Sequence, residues 1–378
     1  MSTVIPISTK MLLHNRPRFI LATLGVAIAF FMAAAQIGLL VGWVNTNSAL
    51  INHAGVDIWV MTAGTRSFDY STAIPRHRVQ QVNSIPGIIW AESMLVGWAT
   101  TWQHPEGKYI NVEVVGLDNG HIGAPWNMIL GDIDSIEQPN TVIIDELSTD
   151  ILGLSKIGEE AELERHRIIL GGLSKEVRTF TATPFVFTSI NNALEYIPYF
   201  RDDEISYVIA RTDKSKNIDA ICERIENEIP NIEALTTDQF AERQVKYWML
   251  ETGAGITVII TAALGLLVGL VIISQTLFAI TQDHIANYAT LLALGFKQKT
   301  ISHIVLTQSL SLGSLGIIVG SVFFILACNA SARSPIPLET TPLVSLGLIA
   351  FSLLCCVGAS WFSIRAIFKI DPVMVFQG

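Results

Sequence analysis

Apolar residues are distributed unevenly along this chain, and four runs free of Asp, Glu, Lys and Arg stand out at 19–44, 252–282, 300–332 and 340–364. A bilayer core is crossed by about 20 apolar residues in helical form, so each run is long enough to span. The expected spans are 19–44, 253–281, 300–328 and 342–364, with short connections at 282–299 and 329–341. Residues 45–250 have the mixed patterning of a folded, water-facing domain. The expected fold is an α-helical membrane protein with four transmembrane helices, one plus three, and a large α+β domain inserted between the first two.

Within that domain, 56–61 reads as a strand leaving the membrane, and Pro75 opens a short helix over 76–83. Segments 87–100 and 109–116 read as a strand pair around the turn-rich 103–107. Further on, 205–211 reads as a strand and 232–235 as another. Between them 217–229 reads as an amphipathic helix with Ile218, Ile221, Cys222, Ile225 and Ile229 on one face, ended by Pro230. This order predicts a split βαβ lobe, about 55–117 with 205–236, around an inserted lobe at about 118–204. Thr236, Thr237 and Asp238 read as the cap of a stalk helix, 238–252, expected to continue unbroken from Gln239 through Trp248 into the second span.

Composition agrees with a membrane protein: half the residues are apolar, 15% are charged and mean hydropathy is +0.46. The net charge of -9 excludes a generally basic surface that would coat nucleic acid. The acidity sits in 45–252, with 16 basic against 30 acidic residues. The short segments 1–18, 282–299 and 365–378 are basic, with Lys10, Arg16, Arg18, Lys297, Lys299, Arg365 and Lys369 facing only Asp283 and Asp371. The positive-inside rule then places 1–18, 282–299 and 365–378 in the cytoplasm and the large domain outside an inner membrane. The first apolar run passes Ala33, Ala34 and Ala35 and continues to Val44, longer than a signal-peptide core, so it is expected to remain as an anchor. Of four cysteines only Cys222 lies in the inserted domain, so no internal disulfide is expected there.

The chain carries no P-loop, His-Glu-x-x-His, Cys-x-x-Cys or Gly-x-Ser-x-Gly pattern, so no catalytic, cofactor-binding or metal-ligating residues are assigned, and the chain is read as a non-catalytic subunit. His53, His77, His104, His121 and His166 lack ligand-like spacing. Asp202, Asp203 and Glu204 lack the alternating ligands and glycine bend of a calcium loop and read as a solvated turn. The spans hold no acidic or basic side chain, and His303 lies near the edge beside Lys299, which argues against ion coupling. Trp90, Trp98, Trp102 and Trp126 suit either a core or contact with an amphipathic lipid. Gly38 and Gly42, Gly265 and Gly269, and Gly316 and Gly320 are spaced for close helix approach in a bundle or a dimer. In 283–296, Asp283 can cap a helix and Gly295 can stop it, with Ile285, Ala289, Leu292 and Phe296 on one face. Helices lying on a bilayer usually carry basic polar faces. This one has Asn287 and Thr290, which favours a docking helix for a partner.

At this loop the sequence resembles the FtsX-like permeases, the type VII ABC transporter family that includes the MacB type. Ala293-Leu294-Gly295-Phe296, followed by Ile301, Gln308 and Ser309, is similar to the family's short helix entering the third span. The basic segment 365–373 with Asp371-Pro372, then Val375 and Phe376, is similar to the family's C-terminal end. Gly25, Gln36-Ile37-Gly38, Asp57-Ile58-Trp59-Val60-Met61 and 287–296 resemble the cyanobacterial DevC subfamily most. The resemblance implies a homodimer on a dimeric cytoplasmic ABC ATPase that alone binds ATP and Mg. It also implies an HlyD-like periplasmic adaptor, a TolC-like outer-membrane channel and glycolipid cargo. ATPase docking is expected at Ile285, Asn287, Tyr288, Ala289, Leu292, Gly295 and Phe296, mainly through Tyr288, Leu292 and Phe296. Asn287 stands where the family usually has Glu, and no basic residue stands near Leu291 or Leu292, so a salt bridge to the ATPase is not expected there. The alternative reading is an FtsX-like signal transducer that activates a periplasmic hydrolase.

Overall fold

The structure, a computed structural model, describes residues 8, 10–12, 16–118, 122–123, 125–179, 181, 183–213 and 215–367. His121, Lys369, Asp371, Pro372, Val375 and Phe376 lie outside the described residues. The chain forms two compact units, one of them 43–256 with 333–336 and the other the remaining segments. The first helix, α1 (Arg16–His53), contributes to both and extends beyond the expected 19–44.

The inserted domain contains strands β1 (Ile58–Thr62), β2 (Ile74–Pro75), β3 (Ile88–Gln103), β4 (Tyr109–Leu117), β5 (Met128–Gly131) and β6 (Thr141–Asp145). They are followed by β7 (Glu160–Leu163), β8 (His166–Ser174), β9 (Phe185–Ser189), β10 (Glu204–Ile205), β11 (Tyr207–Thr212) and β12 (Ile232–Thr236). Its helices are α2 (Arg78–Asn83), α3 (Thr149–Leu152), α4 (Ile190–Tyr196), α5 (Ile218–Glu228) and α6 (Thr237–Lys246).

Strands β12, β1, β11 and β3 pair antiparallel in that order, which is the arrangement a split βαβ sequence produces. Because side chains alternate, Ile58, Val60, Val208 and Ala210 meet Val82 of α2 and Ile221 and Ile225 of α5. On the opposite face Trp59, Met61, Tyr207 and Ile209 pack with Phe68, with Phe240 of α6 and with Leu50 and Ile51 of α1. Both faces of this sheet are therefore core. Local sequence sets the helix starts: the Asn217 side chain accepts from the Asp219 N–H, and Thr236 with Gln239 forms a capping box at α6.

The 16-residue β3 serves two substructures. Its first half pairs with β11 and its second half with β4. From β4 the pairing continues through β9, β6, β8 and β7, and β7 returns to β3 at Trp102 opposite Leu163. Six strands thus close on themselves, which removes exposed edges. Leu95, Trp102, Val112, Val114, Ile144 and Leu170 fill the interior, and α4 covers it with Ile190, Ala193 and Tyr196. The Trp102 indole N–H donates to the Leu152 carbonyl at 3.0 Å, so the buried ring keeps its polar atom satisfied. The sequence places β4 in the split lobe. The structure instead uses β4, and half of β3, to close the barrel, so the inserted lobe is not self-contained.

A second difference concerns the stalk. It is not continuous: α6 stops at Lys246, Tyr247–Glu251 form a π-helical turn, and Gly253 adopts a left-handed φ of 77° before the next helix starts at Ala254. Hydrophobic periodicity carries through this junction, but the backbone does not.

The helices of the other unit are α7 (Ala254–Asp283), α8 (Ile285–Ala293), α9 (Gln298–Ser331) and α10 (Pro342–Ile367). By length and composition α1, α7, α9 and α10 can each cross a membrane. The glycine pairs of α7 and α9 both face α1. A Cβ on Gly265 would lie 2.6 Å from Gln36 Cγ, and one on Gly269 3.2 Å from the Ala29 carbonyl. Likewise a Cβ on Gly316 would lie 2.6 Å from Val26 Cγ1, and one on Gly320 2.6 Å from the Ala27 carbonyl. On α1 itself, a Cβ on Gly38 would lie 3.0 Å from the Phe324 ring of α9, and at Gly42 a Cβ would collide with the Pro337 carbonyl. All six glycines mark close approaches within one chain, and α1 takes part in each. Leu21, Leu264, Ile318 and Leu346 point out of the bundle, an apolar exterior suited to lipid.

Candidate functional site: the α8 edge and a buried polar node

The short helix α8 follows α7 with a single residue, His284, between them. Asp283 does not cap it. That carboxylate instead meets Arg18 at 3.3 Å, and the N-cap is His284, whose Nε2 lies 3.2 Å from the Met11 carbonyl. Gly295 ends the helix as expected: its φ is 89°, its N–H donates to the Leu292 carbonyl at 2.9 Å, and Phe296 N–H donates to Leu291 at 3.1 Å.

The apolar face of α8 is used within the chain. Tyr288 is fully buried against Ile301, Ile304 and Val305 at the start of α9, with Ile285, Leu291 and Leu292 packed alongside. The Tyr288 hydroxyl donates to Gln308 Oε1 at 2.6 Å, and burial raises its pKa. Tyr288, expected at an ATPase surface, is therefore covered by α9; Ala289, expected there too, is buried, and Ile285 and Leu292 are half-buried. What remains open is an edge of Ala286, Asn287, Thr290, Ala293, Leu294, Gly295 and Phe296. Leu294 is 71% exposed and Phe296 38%. Sequence reasoning missed Leu294 as a separate contact, although its place just before the stop glycine, off the periodic face, marks it as outward.

A second cluster lies in the inserted domain. Asp69, on a short 3-10 turn, is buried, and its Oδ2 accepts from Gln244 Nε2 and from Trp248 Nε1, both at 2.8 Å. Gln244 Oε1 in turn accepts from Phe68 N–H at 2.7 Å, and Trp98 Nε1 donates to the Asp69 carbonyl at 3.0 Å. Burial raises the Asp69 pKa against the opposing effect of these donors. Glu113, paired in register with Trp98 and Phe185, is fully buried, and neither carboxylate oxygen has a hydrogen-bond partner among the described residues. Burial first, and the nearby Asp69 charge second, push its pKa well up, which favours its neutral form. The sequence singled out neither residue, because an acidic side chain in an alternating strand reads as solvent-facing. Of the tryptophans left open between core and lipid, Trp102 is core, Trp98 is half-buried, Trp90 packs partly on the core, and Trp126 stacks on His53 at 4.3 Å.

An open cleft of about 680 Å³ beside β12 and α6 is lined by both signs of charge, including Arg66, Glu233, Glu242, Arg243 and Lys246. Arg243 and Glu233 form a two-pronged ion pair there, which lowers the Glu233 pKa. Among the described residues no three His, Cys, Asp or Glu side chains come together as metal ligands.

No curated protein matches the chain. Among solved structures, the periplasmic region of MacB from Actinobacillus actinomycetemcomitans is 9% identical, with TM-score 0.39 over 50% of this chain and 92% of its own. The extracellular domain of the noncanonic ABC-type transporter YknZ from Gram-positive bacteria is 12% identical, with TM-score 0.35 over 48% and 98%. A permease-protein domain from Porphyromonas gingivalis is 13% identical, with TM-score 0.32 over 48% and 88%. The family model of the MacB-like periplasmic core domain matches residues 19–228, and that of the FtsX-like permease C-terminal region matches 259–372. With the inserted domain covered by one model and the last three spans by the other, this chain belongs to the FtsX-like permeases that carry a MacB-like periplasmic core domain.

Proposed function

We propose that the chain is the membrane subunit of an ATP-driven export machine whose ATPase is a separate cytoplasmic protein. The observation that carries this reading is the α8 edge: apolar Leu294 and Phe296 stand open beside Asn287 on the segment between the second and third spans, where the chain's own packing ends. Charge distribution supports a cytoplasmic position for that segment and for both termini, in the inner membrane. A dimeric ATPase carrying ATP and Mg would grip this edge on each of two permease copies. Its closure pushes α8 and moves α7, and the stroke enters the periplasmic domain through the junction at 247–253. Cargo need not pass between the spans, in keeping with their lack of charged side chains. An HlyD-like adaptor and a TolC-like channel complete the path in this reading, and the DevC resemblance makes glycolipid the first cargo to test.

The decisive experiment pairs L294D with F296D in the full chain. Both variants are expected to insert normally while the partner's ATPase loses most of its stimulation and export falls at least tenfold, about 1.4 kcal/mol of lost coupling. Normal export with this edge disrupted would overturn the proposal. Copurification of an adaptor and channel supports export, whereas a cell-wall hydrolase in their place supports the transducer reading.

A further inference from the structure

Strand β12 ends its sheet: among the described residues it pairs only with β1. The bonds that flank this pairing fix its phase. Ala63 N–H donates to the Asn231 carbonyl at 3.2 Å and Thr237 N–H to the Asp57 carbonyl at 3.0 Å, so residues 231, 233, 235 and 237 turn their backbone polar groups toward β1. Ala234 and Thr236 turn theirs away, to the side where the sheet stops. An uncovered edge of this kind is a template for another strand.

Neither outward N–H is left open. Ala234 N–H donates to Glu226 Oε1 and Thr236 N–H to Gln239 Oε1, both at 3.0 Å. The two acceptors come from helices on opposite faces of the sheet. Glu226 follows Ile225 on α5, at the border of the apolar stripe that packs on one face, and its exposed side chain reaches the edge from there. Gln239 lies in the first turn of α6, which covers the other face through Phe240, and its Nε2 donates to Asp219 Oδ1 of α5 at 3.4 Å. The two helices thus meet around the edge. The same arrangement recurs on β3, in the stretch between Met94, the last residue paired with β11, and Trp102, the first paired with β7. There the N–H groups of Val96, Trp98 and Thr100 donate to Ser206 Oγ at 2.8 Å, Tyr199 Oη at 2.6 Å and Glu164 Oε1 at 2.8 Å. At both uncovered stretches a side-chain acceptor stands where a strand would.

We propose that Glu226 guards this edge: by holding the Ala234 N–H, with Gln239 holding that of Thr236, it keeps β12 from pairing with β12 of a second copy of this chain. Side chains on the strand do not prevent such pairing. Antiparallel contact centred on Ala234 sets Glu233 of one copy opposite Leu235 of the other, so no like charges meet. What opposes it is the acceptor already in place, since a carboxylate binds an N–H more strongly than the neutral carbonyl an incoming strand offers. The guard requires neither ATPase nor cargo, so its failure would leave the export proposal untouched.

The test compares the full chain in detergent with E226Q, which keeps an oxygen acceptor, and E226A, which removes it while suiting an exposed helical position. Hydrogen exchange is read at the Ala234 amide in dilute protein. Wild type and E226Q should exchange slowly and alike, and E226A at least about tenfold faster, as expected for a lost bond to a charged acceptor. As concentration rises, light scattering should show E226A particles growing to about twice the wild-type mass, with Ala234 exchange slowing again as edges pair. Fast exchange at Ala234 in the wild type would overturn the proposal without any variant. So would an E226A chain that keeps the wild-type mass at every concentration, or an E226Q chain that associates as E226A does.

Discussion

Glu113 shows how far a single residue can depart from its sequence signal. Its strand alternates, and its neighbours Val112 and Val114 face the barrel interior, so the carboxylate should face water. It instead faces the region of Trp98 and Asp69 and keeps its proton more tightly when folded than when unfolded. The sign follows from that asymmetry. Its contribution to stability is full below the ordinary value of 4.5 and is lost as pH rises through the higher folded value. E113Q keeps the shape and removes the titration. Thermal midpoints of the full chain between about pH 4.5 and about pH 8 should therefore show wild type losing stability relative to E113Q as pH rises. Parallel curves would mean that the carboxylate is reached by water. Tyr288 is the converse case: its aromatic ring does belong to an apolar face, but one that its own chain covers.

Between elements, the glycine pairs carry a clear expectation. Gly316 lies where even a Cβ would press on Val26, whereas Gly347 on α10 has nothing within 4 Å of that position. G316L should destabilise the bundle by about 2 kcal/mol, while G347L should change it by less than about 0.5 kcal/mol. Thermal unfolding of the solubilised chain separates the two, and equal losses would show that α9 does not pack on α1 through this glycine. The same pairs explain why spacing alone left bundle and dimer open: a small-residue stripe states that some helix comes close, not which one. The stalk teaches a similar lesson. Thr236 through Trp248 reads as one helix by cap and period, yet Gly253 at positive φ, which carries little signal inside an apolar run, separates α6 from α7.

For the whole molecule, the number of the spans, the split βαβ order and the short helix between the second and third spans were all legible, because each rests on short-range composition or on the order of elements. The proposed sidedness can be tested with alkaline phosphatase fusions: a fusion within 329–341 should be active and one after residue 378 inactive. The reverse pattern would invert the orientation. The sequence by itself determined where the chain enters a bilayer, where α6 and α8 begin or end, and which strands could form the βαβ lobe, since caps, stop glycines and apolar runs act through neighbouring residues. Only the tertiary structure decided that β3 and β4 close a barrel with β7, that α1 receives the glycines of α7 and α9, and that α9 hides Tyr288 and leaves Leu294 open. Each of these depends on which distant surfaces meet. Burial is a property of the contact, and a periodic pattern specifies only that a face will be covered.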